Sequence, residues 1–123
     1  MSGNTAADVI NSYKNSSYLI FELPDGIFSK DTFCNGVRAT LPLDPPLASN
    51  HSWDAINDSL WSGLELLPEE KLLIIWRTAS EMRAHDIHNF KIACDTLEDL
   101  PKYICDSKKR EGKEASLAIV VVV

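Results

Sequence analysis

Two uninterrupted apolar segments constrain the fold of this chain more than any other feature of its sequence. Residues 72–76 contain only Leu, Ile and Trp, and residues 118–123 contain only Ala, Ile and Val. A strand without polar alternation must be covered by other elements, which is typical of parallel sheets packed by helices. The final segment is far too short to span a bilayer. These segments therefore predict strands over Lys71–Trp76 and Ser116–Val123.

Helical patterns separate these strands from each other and from an earlier strand over Ser17–Glu22. Ser29 predicts the N-cap of a helix that runs to about Thr40 and stops before three prolines. Ser52 predicts the next N-cap, and residues 78–109 predict a helix in two pieces, broken near Asp86. Strands that alternate with helices indicate an α/β domain.

The predicted fold is a small three-stranded parallel sheet, covered by helices mainly on one side. Residues 17–123 form the predicted domain. Residues 1–16 are weakly patterned and are interpreted as an N-terminal extension, either a frayed tail or a short helix. A length of 123 residues is consistent with one domain.

The charge of the chain narrows its class of partner. The formal net charge is −6, which argues against direct binding of nucleic acid and favours a basic protein partner. Three cysteines without a CxxC pair, and a start without a basic and apolar leader, predict reduced thiols in the cytoplasm. No membrane partner and no cofactor are predicted.

The segment from Ser52 to Leu64 is the most informative for function. At about 3.6 residues per turn, Trp53 falls on an apolar stripe with three aliphatic residues. A second face, predicted to meet water, carries two acids, an amide and an indole, namely Asp54, Asn57, Asp58 and Trp61. Aromatic side chains ringed by polar groups are typical of partner surfaces. The alternative is a solvated acidic face whose Trp61 folds back onto the core.

The run Ser52-Trp-Asp-Ala-Ile-Asn-Asp-Ser-Leu60, followed by the strand that ends in Trp76-Arg77, resembles the barstar family. These are small bacterial intracellular inhibitors of secreted ribonucleases, and the resemblance covers roughly residues 17–123. It implies a three-stranded parallel sheet packed by helices, and a face that occludes the active site of a nuclease.

The resemblance also implies roles for individual residues. Asp58 and Asp54 match the two inhibitory aspartates of the family, with Asp58 lying in the cationic pocket that otherwise holds a substrate phosphate. Positions that border the contact in the family are matched by Ser52, Trp53, Asn57 and Trp61. Asp106 is a looser counterpart of an acid from the last helix. The segment 47–51 departs from the family pattern, so the target is either a ribonuclease or another basic toxin.

Two other classes of function stay open at this point. Glu81, His85 and His88 would share a helix face and could bind zinc if residues 78–109 were unbroken. A cysteine could also serve as a nucleophile, although Cys34, Cys94 and Cys105 lie among apolar neighbours and are interpreted as small buried residues. Either site would make the chain a small enzyme. The other class is an acidic adaptor that binds a basic segment of a partner other than a toxin.

Two further side-chain environments follow from the pattern. Trp76 ends a buried strand and is predicted to lie in the core, and Trp53 is interpreted as anchoring its helix to the sheet. Four basic residues crowd the end of the last helix and are interpreted as a solvated helix end and loop. They are Lys108, Lys109, Arg110 and Lys113.

Overall fold

A computed structural model describes residues 3–47, 49 and 52–123. The described elements, in chain order, are helix α1 (Gly3–Lys14), strand β1 (Leu19–Glu22), helices α2 (Lys30–Thr40) and α3 (Trp53–Glu65), strand β2 (Lys71–Trp76), helices α4 (Ala79–His85) and α5 (Ile87–Arg110), and strand β3 (Ser116–Val121). The predicted bounds of β2 are therefore confirmed. The first strand begins two residues later than predicted, because Ser17 adopts a left-handed φ of 62° in the turn after α1.

The three strands form one parallel sheet in the order β1-β2-β3, as predicted. The central strand β2 has five consecutive buried residues, which explains its lack of polar alternation. Its alternate side chains enter two separate clusters. Leu72, Ile74 and Trp76 face the larger cluster, and Leu73 and Ile75 face the smaller one.

Helices α2 to α5 all contribute to the larger cluster, so the sheet is covered mainly on one side, as predicted. Trp76 is fully buried there, with its ring centroid 5.4 Å from that of Phe33 and 5.7 Å from that of Phe90. The prediction that Trp76 belongs to the core is confirmed. This packing fixes the helices on one side of the sheet relative to each other.

The second face of the sheet is covered by α1. Ile10 is 1 % exposed and packs with Leu73, Ile75 and Val120. The short-helix interpretation of the N-terminal residues is therefore confirmed over Gly3–Lys14, while residues 1 and 2 lie outside the described residues. The division of the chain into residues 1–16 and 17–123 stays a prediction.

Asp86 separates α4 from α5, as predicted. Its backbone leaves the helical region at φ −152°, and its carboxylate accepts hydrogen bonds from the Asn89 amide nitrogen (3.2 Å) and side-chain Nδ2 (2.8 Å). These hydrogen bonds lower the pKa of Asp86 below its usual value. Asp86 is thus the N-cap of α5, and helix α5 continues from there through Pro101.

The end of α5 corrects one interpretation. Lys108 is only 3 % exposed, and its ammonium donates to the carbonyl oxygens of Leu67 (3.2 Å) and Glu69 (2.9 Å). The sequence predicts that Lys108 and Lys109 are both solvated, but only Lys109 is exposed. The stem of a lysine can be buried when its charged head finds acceptors, and here the loop between α3 and β2 supplies them.

We expect Lys108→Met to lower the free energy of unfolding by about 1–3 kcal/mol, because two carbonyl groups of the loop between α3 and β2 lose the buried ammonium that donates to them. Lys109→Met is the matched control, because it removes the same charge from an exposed position and should change stability by less than about 0.5 kcal/mol. Chemical denaturation of both variants measures the difference. Equal denaturation midpoints for the two variants would contradict the anchoring role of Lys108.

Candidate functional site

Helix α3 is fixed to the core along one face. Ile56, Leu60 and Leu64 are fully buried, and the Ser52 hydroxyl caps the helix by accepting a hydrogen bond from the Ala55 amide at 3.2 Å. The predicted N-cap and the predicted apolar stripe are both confirmed. A helix held in this way presents its opposite face in one orientation.

The opposite face carries the two acids. Asp54 and Asp58 are exposed and lie one helical turn apart, and Asn57 between them is half-buried. Neither carboxylate has an ion-pair partner among the residues that the structure describes. Two uncompensated negative charges thus project from a rigid helix, an arrangement that attracts a cationic partner.

The two tryptophans of α3 differ in environment. Trp53 is half-buried against the core, with its ring centroid 5.7 Å from that of Phe33 and the Lys30 ammonium 5.5 Å from its own centroid. Trp53 therefore packs against the core, as interpreted, through Phe33 of α2, and its place at the border of a partner contact stays a prediction. Trp61 is 38 % exposed and packs against Tyr103 of α5, with ring centroids 5.7 Å apart.

A proline-rich loop after α2 is bound tightly to α3. Its Asp44 amide donates to the Ser59 carbonyl oxygen at 3.1 Å, and the Ser59 hydroxyl donates to the Pro45 carbonyl oxygen at 2.8 Å. Gly63 lies so close to the backbone of Pro42 that no side chain fits between them. The loop therefore has a fixed position beside the acidic face.

The loop and α3 enclose an open cleft of about 320 Å³ that reaches Asp58. Its lining is mainly apolar on the loop side and consists of Pro45, Pro46, Leu47, Ser49, Ala55, Asp58 and Ser59. Residues 48, 50 and 51 of the segment that departs from the family pattern lie outside the described residues. Asp58 is therefore the acid that borders both the cleft and the outer surface of α3.

Asp106 is exposed near the end of α5, about one turn after Tyr103. It lines a second open cleft with Cys105, Lys109, Lys113, Glu114 and Ala115. The contact between Trp61 and Tyr103 links this helix to α3. Asp106 thus lies on the helix that adjoins the acidic face, although two lysines share its immediate surroundings.

The zinc interpretation fails on geometry. Glu81 and His85 lie on α4, whereas His88 lies on α5 beyond the break at Asp86. Among the described residues, no three His, Cys, Asp or Glu side chains are grouped closely enough to hold a metal ion. The three side chains therefore do not form a shared ligand set.

The cysteines have the environment of packing residues. Cys34 is fully buried, and burial raises the pKa of its thiol. Burial, together with the nearby carboxylates of Glu98 and Asp95, raises the pKa of the Cys94 thiol to about 11. Cys105 is half-buried and donates to the Ala115 carbonyl oxygen at 3.4 Å. A raised pKa keeps a thiol protonated at neutral pH, which disfavours nucleophilic catalysis by Cys34 or Cys94.

Two residues of this surface were not found from the sequence. Ser59 is 3 % exposed and holds the proline-rich loop, and Tyr103 is 47 % exposed beside Trp61. The sequence signal for Ser59 was its position as a serine beside the apolar stripe of α3, in a chain with a run of prolines before that helix. The position of Tyr103 depends on how α3 packs against α5, and helix periodicity does not predict that packing.

Comparison with known proteins places the chain in a family. Neither the curated proteins nor the solved structures include a match to this chain. None of the helices in the described part of the chain has the length and apolar character that a membrane span requires. A family model described as Barstar (barnase inhibitor) matches residues 21–121, which contain α2 to α5 and nearly all of the sheet. The chain therefore belongs to the Barstar family.

Proposed function

We propose that this chain is an antitoxin, or immunity protein, that inhibits a basic nuclease by inserting the acidic face of α3 into the active site. Asp58 is the central contact and Asp54 the second, and the surrounding contact includes Ser52, Asn57 and Trp61. The observation that carries the proposal is the pair of exposed carboxylates on a helix fixed to the core, neither of which has an ion-pair partner in the described part of the chain.

The chemistry of a nuclease active site explains why such a helix would inhibit it. The site concentrates Arg, Lys and His side chains to stabilise the charge of the reacting phosphate. A carboxylate held in that place accepts charge-assisted hydrogen bonds from the same donors. Because α3 is already ordered by its buried stripe, binding would cost little conformational entropy in the inhibitor.

The cleft beside Asp58 supports a contact that is wider than two acids. Its proline-rich wall is held by hydrogen bonds to α3, so the wall and the carboxylate keep one spacing. The net charge of −6 supports rapid association with a basic target. A nuclease other than a ribonuclease would satisfy the same electrostatic requirement.

Inhibition of a purified nuclease tests the proposal. The targets are barnase, which the family description names, and any small basic domain that is encoded beside the gene for this chain. We expect stoichiometric loss of nucleic-acid cleavage for the proper target. Its association rate should fall by about tenfold or more as salt rises from about 0.05 M to about 0.5 M, because salt screens the attraction. Undiminished cleavage by both targets in excess inhibitor would contradict the proposal.

A further inference from the structure

Trp61 and Tyr103 form an exposed aromatic pair between two helices. Trp61 is 38 % exposed and Tyr103 is 47 % exposed, although their ring centroids are only 5.7 Å apart. Each ring therefore packs against the other while much of its surface stays in water. Large exposed aromatic residues of this kind are typical of the central contacts of protein interfaces.

A second contact between α3 and α5 lies next to the pair of rings. The Ser107 hydroxyl donates to the Glu65 carboxylate, and these residues lie one turn beyond Tyr103 and Trp61 on their respective helices. Helices α3 and α5 therefore run side by side in the same direction at this point. The two rings are presented as one surface, which we call the aromatic pair.

Acidic side chains lie about one helical turn from the aromatic pair on both helices, and Lys109 and Lys113 adjoin only Asp106 among them. Asp58 lies one turn before Trp61 on α3, and Asp99 and Asp106 lie about one turn on either side of Tyr103 on α5. All three carboxylates are exposed. An aromatic face attracts a cation through its quadrupole, and nearby carboxylates strengthen that attraction.

The charge and shape of this surface favour arginine as its ligand. A guanidinium is planar, stacks on aromatic rings, and donates hydrogen bonds to carboxylates from its edge. The chain itself places cations on aromatic rings elsewhere, with Lys30 over Trp53 and Lys71 over Tyr18. The ring of Trp53 is thus already in contact with a lysine of this chain, whereas Trp61 is exposed on the acidic side of α3.

We propose that the aromatic pair is a second recognition site that holds an arginine side chain of the inhibited nuclease, beside the site of Asp58. This inference rests on the proposed function, because it identifies a further contact with the same partner. It adds Tyr103 and Asp99 to the interface, so that α5 contributes more to the contact than Asp106 alone.

Substitutions that remove the aromatic ring but keep apolar volume test the site. The probe is the nuclease domain that the wild-type chain inhibits, and dissociation is followed by surface plasmon resonance. We expect Trp61→Leu and Tyr103→Leu each to speed dissociation by about tenfold, because each loses stacking with the guanidinium. Trp61→Phe and Tyr103→Phe are the matched controls, and they should stay within about threefold of the wild type.

Two outcomes separate this inference from the proposed function. If Asp58→Ala abolishes inhibition while both leucine variants dissociate at the wild-type rate, the arginine site is wrong and the proposed function stands. If Asp58→Ala inhibits as fully as the wild type, Asp58 is not the central contact of the proposed function, and a titration with N-acetyl-arginine amide then decides the site alone. The Trp61 indole NMR signal should move with this probe and not with N-acetyl-norleucine amide. Equal movement with both probes, or none, would overturn the arginine site.

Discussion

Asp58→Ala should weaken binding of the nuclease by about a thousandfold. The carboxylate is exposed in the free chain and would be surrounded by the cationic groups of the active site in the complex. Removing it leaves those cations buried without a counter-charge, which typically costs about 2–5 kcal/mol. Most of the loss should appear as faster dissociation. The measurement is the equilibrium dissociation constant, by titration calorimetry or kinetic binding.

Two variants separate the role of this carboxylate from a general effect of charge. Asp8→Ala removes one exposed negative charge from α1, which packs on the opposite face of the sheet, and should leave the dissociation constant within about twofold. Asp58→Asn keeps the shape of the side chain and removes its charge, so it should behave like Asp58→Ala. Nearly unchanged binding of Asp58→Asn would show that shape, and not charge, governs the contact.

Gly63→Ala should destabilise the chain by about 3 kcal/mol, although alanine favours helices more than glycine does. A Cβ atom at residue 63 would overlap the carbonyl oxygen of Pro42 and lie 2.6 Å from the carbonyl carbon of that residue. Both are backbone atoms of the loop that is hydrogen-bonded to Ser59. The loop and α3 would have to separate, and the denaturation midpoint reports the cost.

Gly36→Ala is the matched control for this prediction. Gly36 is also buried within a helix, but a Cβ there would meet mainly the flexible end of the Ile27 side chain, at 2.9 Å, and the ring of Pro24. A side-chain end can move and a backbone cannot, so this variant should change the unfolding free energy by about 1 kcal/mol or less. Similar losses for both variants would contradict the close backbone contact at Gly63.

Local features of the sequence were enough to predict the elements that frame the site. The apolar run of β2 gave its bounds, and the helix break at Asp86 follows from an acid that caps the next helix. The two faces of α3 follow from helical periodicity, because the buried residues Ile56 and Leu60 lie opposite Asp54 and Asp58. In each case the cause lies within a few residues along the chain.

Features that depend on contacts between distant segments were missed. Lys108 looks like a surface lysine until the loop after α3 supplies its acceptors, about forty residues away. Tyr103 joins the candidate surface only because α5 packs beside Trp61. Ile10 enters the core because the second sheet face needs cover. Helix and strand periods carry no information on such pairings.

Competition for the nuclease tests most directly whether the acidic face of α3 occupies the place of a substrate phosphate. A catalytically inactive variant of the target nuclease is first bound to a fluorescent single-stranded oligonucleotide, and the wild-type chain is then added. The account predicts that the oligonucleotide is displaced completely. The inhibitor concentration needed for half displacement should rise as the oligonucleotide concentration is increased. A stable ternary complex of nuclease, oligonucleotide and inhibitor would contradict it.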